Sequence, residues 1–150
     1  MGQRSGGRRS AGQSTTDRRG ALELRIALDT NRYIDLCAGD IQIMHLLQQA
    51  EQICVPFIVL AELRAGFSVG SRGRENERVL NRFMLKPGVI TLYARDATTR
   101  AYANLYRQLR QQGTPIPTND LWIAALVLEH NLALCSRDNH FRHLPQLNVL

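Results

Sequence analysis

The sequence has too little cysteine, and in the wrong places, for a disulfide framework. Cys37, Cys54 and Cys135 are odd in number and far apart, and no C-x-x-C pair or Cys/His spacing suited to zinc is present. They read as buried free thiols of a reducing, cytoplasmic compartment. The histidines His45, His130, His140 and His143 form no ligand set and read as surface or satisfied core imidazoles. No run of 18 apolar residues occurs, so no membrane span is expected. Lysine is nearly missing, Lys86 being the only one, which counts against phosphotransfer sites that need a lysine.

What is present first suggests nucleic acid, because the formal net charge of the 150 residues is +6. The charge is unevenly placed, however. Residues 1–20 carry Arg4, Arg8, Arg9, Arg18 and Arg19 against Asp17, whereas residues 21–150 hold 14 basic and 12 acidic side chains. The body of the chain is therefore close to neutral, and its charge alone does not argue for a nucleic-acid partner. The first 20 residues are rich in Gly, Ser and Arg and poor in large apolar side chains. Such a segment cannot offset its ordering entropy and is expected to be a disordered basic tail. It also lacks the apolar stretch of a secretory signal. Residues 21–150 are expected to form one domain, since a chain of this size can bury roughly two-thirds of its unfolded surface around one core.

Strand-like and helix-like stretches alternate along that domain. Leu24–Leu28, 53–56, 89–93 and 132–136 are short apolar runs suited to buried strands, and the closing "LNVL" could add a fifth. Between them, helical spacing covers 31–37, 41–50, 57–67, 74–85, 96–111 and 119–130, with Asp40 and Asp96 as expected N-caps. Alternation of this kind implies crossover connections and an α/β fold: a three-layer α/β/α sandwich on a mainly parallel four- to five-stranded sheet. Ligands of such sheets bind beyond the carboxyl ends of the strands.

Four acids fall where that edge would be. Asp29 directly follows the first strand and Asp138 the fourth; Glu62 sits inside an apolar helix after the second, and Asp120 in the first turn of the helix leading back to the fourth. Singly, each has an ordinary reading. Asp29 could cap a helix, Asp120 could meet a helix dipole, Asp138 could be a turn residue, and Glu62 could reach past Val59 and Leu63 to water. Together, four carboxylates cannot share a small site without a neutralising cation. With no Cys/His set, that cation would be a hard one held by oxygens, Mg²⁺ or Mn²⁺. Two such ions can activate water against a phosphodiester.

The stretches "IALDTNRYIDL", "VPFIVLAELRAGF", "PTNDLWIAA" and "LALCSRDNHFRHLPQLNVL", in this order, resemble the sequential motifs of PIN-domain ribonucleases, in particular the VapC-type toxins of toxin–antitoxin pairs. The resemblance covers the chain from about Leu24 onward. It implies a PIN-like fold and a metal-dependent endoribonuclease in which Asp29, Glu62, Asp120 and Asp138 are both catalytic residues and ligands of Mg²⁺ or Mn²⁺, two ions per site. It also implies that Asn31 and Ser136 support the acidic cluster, with Asn119 either doing the same or capping its helix. The expected partners are an RNA substrate, a small antitoxin protein and a second copy of the chain. Arg64, Arg72, Arg74 and Arg137 are the candidate contacts to RNA phosphate, and Arg32 adds a positive charge beside Asp29.

Phosphatases of the haloacid-dehalogenase type also place an Asp after the first strand, but they commonly need a second Asp two positions later, where this chain has Asn31. A phosphate-accepting receiver domain would need an Asp after the third strand, which here ends at Tyr93-Ala94. A catalytically inactive PIN-like module that only binds RNA or a partner remains the alternative, although clustered negative charge does nothing for phosphate binding.

Overall fold

A computed structural model describes residues 23–150; the expected disordered tail over residues 1–20 lies outside them. Five strands and six α-helices alternate: β1 (Arg25–Leu28), α1 (Thr30–Cys37), α2 (Ile41–Gln49), β2 (Gln52–Pro56), α3 (Phe57–Val69), α4 (Gly73–Met84), β3 (Val89–Leu92), α5 (Asp96–Gln112), α6 (Thr118–Glu129), β4 (Ala133–Cys135) and β5 (Asn148–Val149). A 3-10 turn at Asn139–His143 joins β4 to β5. The strands form one sheet in the order β3-β2-β1-β4-β5, and every pairing is parallel.

This order makes β1 and β4 the interior pair from which the chain winds outward in both directions. Right-handed crossovers therefore place the helices following β1 and β2 on one face of the sheet and the returning α5 and α6 on the other. Beyond Arg25 the two central strands are apolar because both of their faces are covered: Ile26, Ala27, Leu28, Leu134 and Cys135 are all buried. The same pressure shapes α6, whose Leu121 and Ile123–Val127 are buried. Charged α4, by contrast, turns only Leu80 and Phe83 inward.

Local chemistry sets the helix ends. Asp40 caps α2 as expected, accepting from the Gln42 and Ile43 amides at 2.9 and 3.2 Å. Gly39, with φ +85°, supplies the left-handed residue that lets the chain turn between α1 and α2. Two expected caps are corrected. Asp96 lies inside the first turn of α5 and pairs with Arg100. The cap residue is Arg95, whose amide donates to the Thr98 hydroxyl at 3.0 Å. Asn119 likewise does not cap α6. That helix starts one residue earlier, behind Pro117, with no side-chain cap; a proline's fixed φ already suits a helix start. Helix α3 begins the same way behind Pro56. Cys54 and Cys135 are buried free thiols, but Cys37, at the end of α1, is exposed. Among the described residues no helix is long and apolar enough to cross a membrane.

Helix α5 is anchored to α6 through a buried polar group. Thr98, with no exposed surface, donates its hydroxyl to the Glu129 carboxylate, which also accepts from Arg95. Burial pushes the Glu129 carboxyl up, but these hydrogen bonds outweigh it and hold it below its ordinary 4.5. A carboxyl depressed in the folded state stabilises the fold above its unfolded pKa and loses that contribution as the pH falls through the depressed value. Thr98→Val removes one partner and leaves Glu129 short of a donor, so it should cost about 1–3 kcal/mol in urea unfolding at pH 7. The difference from wild type should narrow as the pH drops below 4.5; a difference constant with pH would show that Glu129 does not depend on Thr98.

Candidate active site

Asp29 stands where the chain leaves β1, at the point from which the sheet winds both ways. Its amide continues the sheet by donating to the Cys135 carbonyl at 3.1 Å. Its carboxylate is held on both oxygens: Oδ1 accepts from the Thr30 amide at 2.8 Å and Oδ2 from the Ser136 hydroxyl at 2.6 Å. Asp29 thus caps α1 and still presents a rigid carboxylate at the strand edge. Ser136 serves twice, since its Oγ also accepts from the Asp138 amide at 3.0 Å. Both residues are buried, at 5 % and 6 % exposure, so the loop after β4 is tied to the loop after β1 at the crevice where parallel sheets bind ligands.

The other three acids converge on the same edge. Helix α3 leaves β2 behind Pro56 and carries Glu62 in its second turn. Helix α6 runs toward β4, so its first turn, with Asp120, lies at the carboxyl ends of the strands. Asp138 caps the 3-10 turn, accepting from the His140 amide at 2.9 Å. Burial, followed by the proximity of Asp29 and Asp120, raises the Glu62 carboxyl. Burial raises Asp120, aided by Asp138 and Asp29 and opposed by His140. Burial also raises Asp29 despite its two hydrogen bonds, with Asp138 adding to the effect. All four acids predicted from the sequence are therefore close enough to feel one another's charge.

Among the described residues, no arginine or lysine forms an ion pair with any of the four acids. Arg32 and Arg137, the nearest in sequence, are both drawn to Asp35 at 2.8 Å. The one positively chargeable partner is His140, whose Nδ1 lies 2.8 Å from Asp120 and 2.9 Å from Asp138. One ligand atom from each of these three residues lies within 4.8 Å of the others, a spread compatible with donors around a single ion. The buried Thr30 hydroxyl has no hydrogen-bond partner within 3.5 Å, although it lies near enough to Glu62 to oppose the rise of that carboxyl. Uncompensated carboxylates and a spare buried hydroxyl fit a hard divalent cation with its water.

His140 and Thr30 were not singled out by sequence reasoning. The only hint of His140 was its place two residues after Asp138 in "RDNHF", and a solvent-facing imidazole fits the same string. Of the supporting candidates, Ser136 joins the site. Asn31 and Asn119 are exposed beside Asp29 and Asp120. The arginines scatter. Arg64 pairs with Glu77 across α3 and α4 at 3.0 Å, in a groove of about 530 Å³ that Arg74 also lines and that contains none of the four acids. Arg72 lines a neighbouring hollow with Tyr33 and Phe67. Arg137 adjoins the site but is held by Asp35.

Residues 26–147 match the model of the PIN domain family. Ribonuclease VapC4 of Mycobacterium tuberculosis is 31% identical over 96 residues, covering 64% of this chain and 74% of that protein. Two solved structures are each 26% identical and cover 85% of this chain. One is VapBC2 from Rickettsia felis bound to a DNA fragment from their promoter, with a TM-score of 0.74 over 98% of that chain. The other is VapBC-1 from nontypeable Haemophilus influenzae, with a TM-score of 0.76 over 97% of that chain.

A carboxyl raised by crowding favours the folded state only while protonated. Its contribution is present below the unfolded pKa, 4.5 for Glu62, and lost as the pH rises through the raised value. Glu62→Gln, which keeps the shape and removes the charge, should therefore raise the thermal midpoint of chelator-treated protein by a few degrees at pH 7, and added Mg²⁺ should erase the gain. A lower midpoint for the variant without metal would contradict the crowding.

Proposed function

Because this chain belongs to the PIN domain family, we propose that it is a metal-dependent endoribonuclease and the toxin of a toxin–antitoxin pair, with residues 21–150 as the nuclease domain. The observation that carries the reading is the convergence of Asp29, Glu62, Asp120 and Asp138 on one strand edge with no arginine or lysine of the described residues paired to any of them. The similar Mycobacterium tuberculosis protein is named a ribonuclease, and the alternative of a phosphate-binding surface has no use for four clustered negative charges.

The four acids would hold Mg²⁺ or Mn²⁺, two ions per site. Asp29 is the central ligand, since Ser136 and the Thr30 amide leave it little freedom. Glu62 and Asp120 reach the same space from α3 and α6, and Asp138 closes it from the loop after β4. The bound metal would neutralise the cluster, lower the pKa of a coordinated water and offset charge developing on the leaving oxygen. The acids would hold the ion where a water can attack a phosphodiester in line, leaving a 5'-phosphate and a 3'-hydroxyl. Asn31 and Asn119 flank the site as supporting polar groups. Arg64, Arg72, Arg74 and Arg137 are the phosphate contacts; Arg64 and Arg137 would have to be shared with Glu77 and Asp35 or released from them. The two solved relatives are VapBC proteins, which supports a small antitoxin as the protein partner; a second copy of the chain would complete the working unit.

Purified protein should cleave RNA only with Mg²⁺ or Mn²⁺ and stop on addition of a chelator. Asp29→Asn and Asp120→Asn should each lower the rate by roughly 100-fold or more, as loss of a group acting on the transition-state charge does. RNA that is bound equally well by wild type and both variants but cut by none would replace the nuclease with a binding module.

A further inference from the structure

His140 touches two of the four acids, and the four-acid scheme gives it no role. It lies on the 3-10 turn after β4, where its backbone amide is already committed to Asp138 Oδ1. That bond fixes the start of its side chain, and the ring lies against Asp120 and Asp138. Nδ1 reaches both Asp120 and Asp138, at 2.8 and 2.9 Å. A single ring nitrogen has one proton or one lone pair, so it can satisfy at most one of these carboxylates well as a donor. Its position, nearly equidistant from two acids, suits a third ligand atom facing a common centre as well as it suits a hydrogen bond. The side chain is 46 % exposed while Asp120 and Asp138 are 14 % and 26 % exposed, so the ring sits at the rim, where it can adjust to an ion without disturbing the core.

We propose that His140 is itself a metal ligand, giving the part of the site formed by Asp120 and Asp138 one nitrogen donor and thereby a preference for a first-row transition ion such as Mn²⁺ over Mg²⁺. Mg²⁺ favours all-oxygen sets and sheds its water reluctantly, whereas imidazole suits transition ions. The proposal rests on the reading of the acids as a metal site and refines it: among the described residues, His140 bonds to Asp120 and Asp138 and to neither Asp29 nor Glu62, so the imidazole belongs to the Asp120–Asp138 side.

Titration calorimetry of the full chain with Mn²⁺ and separately with Mg²⁺, paired with pulsed electron paramagnetic resonance of bound Mn²⁺, tests this without reference to cleavage. Wild type should show a nitrogen coupling to Mn²⁺ that is absent in His140→Ala. The substitution should weaken Mn²⁺ about ten-fold, the scale seen when a metal site loses a supporting group, and leave Mg²⁺ within about two-fold. Circular dichroism and thermal melts check that this exposed position leaves the fold intact. Asp120→Asn should weaken both ions. A wild type without nitrogen coupling, or a His140→Ala variant that binds Mn²⁺ as well or better, overturns the role of His140 while the acids stand. Binding of neither ion to wild type overturns the metal site and His140 with it.

Discussion

Everything at this site depends on holding carboxylates together that repel one another. Asp29 is the fixed point, because the Ser136 hydroxyl and the Thr30 amide take both of its oxygens and its own amide extends the β1–β4 pairing. The strand order explains why the site lies here. Only between β1 and β4 does the chain diverge in both directions and open a crevice at the carboxyl edge. Ser136 occupies that crevice from the β4 side and ties the two loops with one buried hydroxyl.

The surrounding elements make the crowding hold. Helices α3 and α6 both start behind a proline with no side-chain cap. Their amino ends face the strand edge with positive dipoles that favour the carboxylates carried there. The buried apolar faces of α6, from Leu121 to Val127, and of α3, through Val59, Leu60 and Leu63, anchor Asp120 and Glu62 against the sheet. Arg32 and Arg137 could have neutralised the cluster, but Asp35 engages both. The like charges are thus left facing one another, at a cost in stability that a bound cation of the proposed kind would relieve.

The polar tie between α5 and α6 does related work at the opposite end of the helix. Thr98 and Glu129 fix the last turn of α6 against α5, while its first turn bears Asp120. A helix restrained at its far end and packed along its length presents its first turn, and Asp120 with it, in one place. The fold and the chemistry therefore meet in α6: its apolar sequence looks like simple core, and its position determines where one carboxylate stands.

Much of the fold was legible because its signals are local. Apolar runs of four or five residues, the Asp40 cap, Gly39 and the alternation of strand with helix all act over a few residues, and together they imply a parallel sheet. The four acids were legible too, because each sits at a fixed offset from a strand or helix end. Two caps were misread. Asp96 looks like a cap, but Arg95 is the cap residue and its amide is held by Thr98, which is locked to Glu129 from another helix; Asn119 also looks like a cap, but Pro117, two residues earlier, already sets that helix start. Cys37 is apolar in its neighbours yet exposed, because α1 ends at the surface there. By itself the sequence determined the strands, the helices and which acids stand at their ends, since these follow from short-range hydrophobic and backbone preferences. Only the tertiary structure decided that Ser136 grips Asp29 across 107 positions, that Asp35 diverts the arginines and that His140 joins Asp120 to Asp138, because hydrogen bonds between distant segments depend on how the sheet brings those segments together.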